Sequence, residues 1–375
     1  MNRSAPLSIV FAGGGTAGHL FPALAAAEQV RRLAAETKII FVGSGRAIEQ
    51  RHVAAAGFDY VALPSRPLPR SVGDWVPFVV ENLAGYWAAR RLLADERAAV
   101  VVGLGGYASA PTARAALRFG IPLVLLEQNV LPGKATRWLA RRAAAVCVTW
   151  APAKNHLSPG TRALTTGNPL RAEFFEPADK ENLLLVLGGS HGAHALNVDV
   201  PKAIYRLALN LNGWRIVHQT GEADQAAVAR LYRRLGIDAE IIPFIADMPR
   251  RMRSARLAIS RAGGTTLAEL AATGTPAALV PYPHAADDHQ RRNAELLVRA
   301  GGAVVVDQSP AEQGGDSPRF DTALADAIRP LISEPARLEA MGRVMRRFAR
   351  PEAARHVAEI ILHQARATAA LPAAA

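Results

Sequence analysis

The sequence has few of the residues that build disulfide-linked, zinc-bound or membrane-spanning structures. Its 375 residues include a single cysteine, Cys147, so no disulfide can form within the chain, and a reducing, cytosolic setting is favoured. No cysteine–histidine spacing typical of a zinc site occurs. No apolar run approaches the roughly 20 residues that a membrane span requires. These absences exclude disulfide scaffolds, zinc-stapled folds and helical membrane spans.

The charge is unevenly distributed along a chain of globular composition. Half of the residues are apolar and a fifth are charged, and the length suffices for two domains. Residues 1–167 hold 19 Lys and Arg against 9 Asp and Glu, whereas the remainder holds 25 against 23. The first half is therefore predicted to meet an anionic partner: nucleic acid, phosphate groups or an acidic membrane surface. A compositional bias towards Ala and Arg is the alternative explanation.

Apolar segments of strand length alternate with Ala/Leu/Arg-rich amphipathic stretches, which indicates an α/β fold with parallel sheets and helical crossovers. The pattern restarts after Gly167, which predicts two Rossmann-like domains, 1–167 and 168–345, followed by a helix at 346–368 that could pack back on the first domain, and a tail at 369–375. The predicted strands are Leu7–Ala12, Lys38–Val42, Tyr60–Leu63, Ala99–Leu104, Pro122–Leu126, Ala144–Thr149, Asn182–Leu187, Arg215–Gln219, Glu240–Pro243, Leu257–Ser260, Ala277–Pro281 and Ala303–Val306.

A glycine-rich loop, Gly13–Gly18, follows the first predicted strand and precedes a helix. This order places backbone N–H groups at a helix N-terminus, where they bind anions, and its spacing also fits the dinucleotide fingerprint. A dinucleotide site requires an acid at the end of the second strand, but that strand ends without one and Glu36 lies at its other end. His19 leaves the loop on the first helical turn, where the neutral form is favoured. It is either a general base or a capping and packing residue.

Glycine turns in the second half have the features of a nucleotide site. Ser190 offers a hydroxyl beside backbone N–H groups, and Thr265 and Thr266 open a helix after another predicted strand. Glu269, one turn into that helix, is suited to accept two ribose hydroxyls, although a first-turn acid also stabilises the helix dipole. Residues 287–293 open a further helix with polar groups suited to a sugar.

Eight motifs in order along residues 8–300 resemble those of the MurG family of bacterial N-acetylglucosaminyltransferases. The motifs are Gly14–Pro22, Gly105–Pro111, Glu127–Asn129, Thr166–Arg171, Gly188–Ala193, Phe244–Met248, Arg261–Glu269 and His289–Gln290 with Asn293–Ala294. Three positions depart from the commonest family pattern, namely Ala17 and Ala110 in place of glycine and His191 in place of glutamine.

The resemblance implies a GT-B fold, in which two Rossmann-like domains with parallel sheets face a central cleft. It further implies an inverting transfer of GlcNAc from UDP-GlcNAc to the C4 hydroxyl of MurNAc in lipid I, giving lipid II for peptidoglycan. No metal ion or other cofactor is obligatory in this reading. The donor residues carried over by position are Thr16, Ala17, Gly18, Asn129, Arg171, Ser190, Ile245, Gly264, Thr265, Thr266, Leu267, Ala268, Glu269 and Gln290.

The acceptor diphosphate is expected at two glycine turns of the first domain, which consist of Gly14, Gly15, Gly105, Gly106 and Tyr107. The transfer needs a base that deprotonates the C4 hydroxyl as it attacks the anomeric carbon. His19 is the first candidate and Glu127 the second. Helix N-termini and hydroxyls are expected to neutralise the leaving UDP.

Because lipid I lies in the cytoplasmic leaflet, a peripheral location on the cytoplasmic face of the cell membrane is expected, with other cell-wall synthesis proteins as candidate partners and no nucleic acid. Aromatic and apolar residues beside arginines suit anionic headgroups, although core helices with exposed arginines would show the same pattern. The segments concerned are Asp74–Val80, Tyr86–Arg91, Arg118–Phe119 and Arg137–Arg142.

Three other functions compete with this reading. A UDP-GlcNAc epimerase shares the two-domain fold but leaves the glycine turns and basic excess of the first half unexplained. A non-catalytic sugar-nucleotide-binding protein has no use for both His19 and Glu127. A related lipid glycosyltransferase with a diacylglycerol acceptor is disfavoured by the Gly105–Pro111 match.

Overall fold

The computed structural model describes residues 6–69, 71–189, 192–207, 211–308 and 319–369. The chain forms two compact units, divided after Arg171 and after Pro351. The first unit takes the chain before the first division together with the segment that begins at Glu352, and the second unit takes the chain between them. The sequence-based boundaries, after residues 167 and 345, lie four and six residues earlier in the chain.

The first unit is a parallel sheet of seven strands within the described ranges, in the order β3-β2-β1-β4-β5-β6-β7. The strands are β1 (Ser8–Ala12), β2 (Lys38–Gly43), β3 (Asp59–Ala62), β4 (Val100–Gly103), β5 (Leu123–Glu127), β6 (Ala145–Val148) and β7 (Ala163–Thr165). The helices are α1 (Ala17–Leu33), α2 (Ala47–Ala55), α3 (Trp75–Asp95), α4 (Ala110–Arg118), α5 (Lys134–Leu139) and, from the end of the chain, α13 (Ala353–Ala369).

Continuous apolar strands give this sheet a core on each face. Alternate residues of a strand point to opposite faces. Accordingly Ile9 and Phe11 of β1 belong to one buried cluster, and Val10 and Ala12 belong to another. Helix α13 joins the first of these clusters through side chains that include Val357, Ile361 and Leu362, so the end of the chain is part of the first unit's core.

The second unit contains a six-stranded parallel sheet in the order β10-β9-β8-β11-β12-β13, counted over the described residues. The strands are β8 (Glu181–Leu187), β9 (Arg215–Gln219), β10 (Glu240–Ile242), β11 (Ala255–Ser260), β12 (Ala277–Leu279) and β13 (Ala303–Val305). The helices are α6 (His194–Arg206), α7 (Gln225–Arg234), α8 (Met248–Ser254), α9 (Gly264–Thr273), α10 (His289–Ala300), α11 (Phe320–Ser333) and α12 (Pro335–Arg346).

The predicted α/β class with two Rossmann-like domains is confirmed. All twelve predicted strands are present, with ends shifted by at most two residues, and β7 is a strand that the sequence reading missed. Its three residues come shortly before Gly167, after which the predicted pattern restarts. A search of the described helices finds none that is both long and apolar enough to cross a membrane.

Candidate functional site

In the first unit, the predicted site residues lie where neighbouring strands end. The sheet order reverses between β1 and β4, and open α/β sheets bind ligands at the carboxyl ends of strands beside such a reversal. The loop of Gly13–His19 follows β1, the turn of Gly105–Tyr107 follows β4, and Glu127 ends β5. The fold therefore brings three separate motifs to one sheet edge.

The two glycine turns pack against one another, and the space at Gly13 leaves no room for a side chain. Gly13, Gly14 and Gly15 have φ values of +131°, +149° and +84°, a region that favours glycine. A Cβ on Gly13 would lie 2.9 Å from the Gly105 carbonyl oxygen, and a Cβ on Gly106 would lie 3.5 Å from the Gly14 carbonyl oxygen. The turns therefore form one surface of closely spaced backbone.

His19 stands on this surface. A Cβ on Gly105 would lie 3.4 Å from both Cδ2 and Nε2 of the His19 ring, so the ring lies against the second glycine turn. Its Nδ1 is 3.0 Å from the Thr16 hydroxyl oxygen. Thr16 is the N-cap residue of α1, yet its hydroxyl bonds to the imidazole and not to a helix N–H. When Nδ1–H donates to Thr16, Nε2 keeps the lone pair that a general base needs.

Glu127 is bound by the loop that follows it. It is 4% exposed, and its oxygens accept from the Asn129 N–H at 3.0 Å, the Asn129 amide at 3.2 Å and the Gly133 N–H at 3.0 Å. Burial raises the pKa of Glu127, and the hydrogen bonds from Asn129, Thr136 and Gly133 oppose this shift. The carboxyl group thus anchors the 129–136 loop.

The remaining predicted residues of the first unit differ in exposure. Gly14 and Gly15 are buried, Thr16 and Gly106 are exposed, and the intermediate ones are Ala17, Gly18, Gly105, Tyr107, Asn129 and Arg171. Arg171 is the last residue of this unit.

In the second unit, the turn after β8 is held by the strand beside it. The Gln219 side chain donates to the Gly189 carbonyl at 2.9 Å. Gly192 has a φ of +74°, and a Cβ there would lie 1.9 Å from the Thr220 carbonyl oxygen. Ser190 and His191, between these two glycines, lie outside the described residues.

Helix α9 presents its N-terminus directly after β11, as the Gly-Gly-Thr-Thr motif predicted. Gly264 and Thr265 are buried, whereas Thr266 and Glu269 are partly exposed on the first two turns. Such a helix start offers N–H groups and a positive dipole end to an anion. Ala268 is buried, and the side chain of Leu267 is fully buried in the core while its N–H donates to Gly263. Leu267 therefore offers a ligand neither its side chain nor its N–H group.

Gln290 ties the start of α10 to the two preceding strand ends. Its Oε1 accepts from the Ala262 N–H at 3.3 Å and from the Tyr282 N–H at 3.0 Å. Asp287 and Asp288 precede it with φ of +52° each, a left-handed conformation that is costly for residues other than glycine. Strain of this kind is common at ligand-binding turns.

Ile245 lies in the loop after β10, and its side chain is buried. Two residues earlier, the Pro243 carbonyl oxygen accepts a hydrogen bond at 3.1 Å from the N–H of Gly221, which follows β9. This hydrogen bond fixes the loop to the neighbouring strand. Because the side chain of Ile245 is buried, its backbone is the part that can contact a ligand.

Sequence reasoning missed a buried polar network beside the β8 turn. His218 bonds to the Tyr232 hydroxyl and to Asn197 Oδ1, each at 3.1 Å, and Asn197 donates to the Thr220 carbonyl at 2.9 Å. Burial lowers the pKa of His218 to about 3, so its ring is neutral. The only signal in the sequence is a histidine within an apolar strand, which does not identify its partners.

Within the described part of the chain, no cluster of three or more His, Cys, Asp or Glu side chains is arranged to hold a metal ion. The polar groups gathered in both units are glycine-turn backbone, hydroxyls, amides and helix N-termini. This set suits phosphate and sugar ligands.

Comparison with known proteins first gives the class. The N-terminal domain of glycosyltransferase family 28 matches residues 9–148, and the C-terminal domain of that family matches residues 183–357. Each domain falls on one of the two sheets.

The particular family follows from full-length relatives. The UDP-N-acetylglucosamine--N-acetylmuramyl-(pentapeptide) pyrophosphoryl-undecaprenol N-acetylglucosamine transferase of Geobacter sulfurreducens is 39% identical over 369 residues, covering 94% of this chain and 97% of that protein. The crystal structure of MurG from Acinetobacter baumannii matches with a TM-score of 0.75 and 30% identity, over 96% of this chain and all of that one. This chain belongs to the MurG family within glycosyltransferase family 28.

A UDP-GlcNAc 2-epimerase from Neisseria meningitidis also matches, with a TM-score of 0.66 over 96% of this chain and all of that one, but at 15% identity. That likeness shows a shared fold alone. It carries no argument for epimerase activity.

Two glycines of the β8 turn give a test of the geometry. Gly192→Ala places a methyl group against the Thr220 carbonyl, whereas Gly189→Ala places one where no described atom lies within 4 Å. Both substitutions carry the strain of positive φ, about 1 kcal/mol. We expect Gly192→Ala to lower the free energy of unfolding by roughly 2 kcal/mol more than Gly189→Ala does. Urea denaturation of the two variants measures the difference, and equal losses would contradict the observed contact.

Proposed function

We propose that this protein transfers GlcNAc from UDP-GlcNAc to the C4 hydroxyl of MurNAc in lipid I, with inversion at the anomeric carbon, to form lipid II. The observation that carries the proposal is 39% identity over nearly the full length to a transferase of that name. The glycine turns and helix N-termini that the reaction requires lie on the matched part of the chain.

The donor is assigned mainly to the second unit. The α9 N-terminus with Thr265 and Thr266 is suited to the diphosphate, and Glu269 to the ribose hydroxyls. Gln290 keeps an amide N–H₂ group for the sugar, because the hydrogen bonds that fix it use its oxygen. The uracil is assigned to the backbone of Ile245.

Departure of UDP leaves negative charge on its diphosphate, which the enzyme must stabilise in the transition state. The α9 dipole, the first-turn N–H groups and the threonine hydroxyls are fixed in place before the reaction and need no obligatory metal ion or other cofactor. We expect activity to persist in the presence of EDTA.

The acceptor diphosphate is assigned to the paired glycine turns of the first unit. The base takes the proton from the C4 hydroxyl, O4 attacks the anomeric carbon, and the bond from that carbon to the UDP oxygen breaks. His19 suits the role because its ring lies on the glycine surface and its Nδ1 is held 3.0 Å from the Thr16 hydroxyl oxygen. Glu127 suits it less, because loop donors already occupy its oxygens.

Radiolabelled UDP-GlcNAc and a lipid I analogue test the reaction itself. We expect label in the lipid product, with and without EDTA. Conversion of UDP-GlcNAc in the absence of acceptor would favour an epimerase. Labelling of diacylglycerol would indicate a different lipid acceptor, and binding without turnover would indicate a non-catalytic protein. Each of these three results contradicts the proposal.

Two variants distinguish the candidate bases. His19→Ala is expected to lower kcat by roughly 10²–10⁴-fold, since it removes the proton acceptor. Glu127→Gln keeps a carbonyl oxygen for the loop N–H groups, so a smaller loss is expected. Steady-state kinetics with the lipid I analogue measure both values. If His19→Ala keeps near-normal kcat while Glu127→Gln loses orders of magnitude, the order of the candidates is wrong.

The exposed face of α3 supports binding to the membrane surface. Trp75 and Trp87 are 54% and 53% exposed, and Val76, Val79, Val80 and Leu83 are exposed with them. At 100° per residue these positions span an arc of roughly 140° on the helix. They form an apolar stripe and not a core face.

Arginines on α3 and α4 lie over exposed aromatic rings. The Arg90 guanidinium lies 5.0 Å from the Trp87 ring and 5.2 Å from the Phe119 ring, and Arg114 lies 5.9 Å from the Trp138 ring. Exposed apolar side chains beside cations suit a surface of anionic lipids. We therefore propose that the protein is a peripheral protein of the cytoplasmic face of the cell membrane. There it would act beside other cell-wall synthesis proteins, whose product cells need for growth and division.

Vesicle flotation tests the membrane surface. We expect binding to vesicles that contain phosphatidylglycerol and weak binding to phosphatidylcholine alone. Replacing Trp75, Val79 and Trp87 by serine together is expected to lower the partition coefficient at least ~10-fold, because three apolar side chains no longer enter the bilayer. Tyr205→Ser, at an exposed aromatic residue of the second unit, is the control. No preference for the anionic lipid would contradict the assignment.

A further inference from the structure

Helix α2 carries an acid that the proposed reaction does not use directly. Glu49 lies one turn into this helix, and its side chain is 1% exposed. A dinucleotide site would need an acid at the end of β2, where the sequence has none. The fold brings Glu49 back to that place from the following helix.

The oxygens of the Glu49 carboxyl group accept hydrogen bonds from several groups of the protein. Ser44 donates its N–H at 2.9 Å and its hydroxyl at 3.0 Å, the Tyr60 hydroxyl donates at 2.6 Å, and the Gly15 N–H donates to Oε1. Burial, together with the hydrogen bond to Glu49, raises the pKa of Tyr60, so its hydroxyl stays protonated and donates. These four donors use the hydrogen-bond acceptor sites of the two carboxyl oxygens, so none is left to accept from a ribose hydroxyl.

Two glycines make room for this carboxyl group. A Cβ on Gly14 would lie 2.5 Å from Glu49 Oε1, and a Cβ on Gly43 would lie 2.5 Å from Oε2. Both distances are far inside van der Waals contact. The end of β2 and the loop after β1 therefore lack side chains where the carboxyl group passes between them.

The start of the same helix also binds the carbonyl group of Gly15. The Arg46 guanidinium, at the N-cap of α2, donates to the Gly15 carbonyl oxygen at 2.5 Å. Gly15 is thus bound by its N–H to Glu49 and by its C=O to Arg46. The next residue is Thr16, whose hydroxyl bonds to the His19 ring.

We infer that Glu49 is a positioning residue for the transfer: its carboxyl group fixes the backbone of Gly15 and, through Gly15 and Thr16, sets the place of the His19 ring. This inference rests on the proposed function. A buried carboxyl group is costly without hydrogen bonds, so its bond to the Gly15 N–H holds the loop in one conformation. A misplacement of about 1 Å at a reacting group costs about 10²-fold in rate.

Glu49→Gln tests the inference with little change of size. The amide keeps one acceptor oxygen and points an N–H₂ group at donors on its other side. We expect kcat with the lipid I analogue to fall by about 10²-fold. We expect the affinity for UDP, measured by calorimetry, to stay within about twofold, because the second unit supplies most of the donor groups.

Tyr60→Phe is the matched control. It removes one donor from the same carboxyl group on the side away from Gly15, and we expect kcat to stay within about threefold of the wild type. If Glu49→Gln does not fold, Glu49→Asp replaces it, because the shorter side chain withdraws the carboxyl group by one methylene. Its kcat and its affinity for UDP are then compared with those of the wild type in the same way.

Two results would overturn the inference. One is a kcat within about threefold of the wild type in the folded variant. The other is a loss of kcat that equals the loss of UDP-binding stoichiometry, which reports a smaller folded fraction. A wild-type protein that labels no lipid would instead contradict the proposed function, so the two failures are distinguishable.

Discussion

The first unit depends on the contact between two glycine turns at the ends of β1 and β4. Parallel strands end at one sheet edge, and there Gly13 meets the Gly105 carbonyl at a spacing that no Cβ allows. The contact makes a surface of peptide groups on which His19 lies. Burial of apolar residues on both sheet faces holds the strands in register.

Buried carboxyl groups hold two loops of the first unit. Glu49 accepts from the loop after β1, and Glu127 accepts from the loop after β5. In each case a carboxyl group that would be costly to bury alone is satisfied by backbone N–H groups of an irregular segment. In the second unit, neutral amide side chains hold the loops. Gln219 donates to the Gly189 carbonyl, and Gln290 accepts from the Ala262 N–H. Both units thus fix their loops from within.

The sequence predicts the strands well and the side-chain partners poorly. Continuous apolar runs such as residues 39–42 and 183–187 are strong signals because both faces of a parallel sheet are buried. The missed strand, β7, has three residues and little apolar periodicity, so only pairing with β6 defines it. Thr265, Thr266 and Glu269 could be placed because a glycine turn before a helix fixes their position. Glu49 could not, since a glutamate on an amphipathic helix normally faces solvent.

The glycine spacing of the first loop has a different meaning in this fold than in a dinucleotide site. In both, glycine permits close approach, but in a dinucleotide site the approaching group is the ligand's pyrophosphate. Here Gly14 admits a carboxyl group of the protein, and Gly15 uses its N–H to bind it. The other face of the loop carries Thr16, whose hydroxyl bonds to the His19 ring. One face of the loop is therefore structural, and this division lets a flexible glycine segment hold a histidine in a defined place.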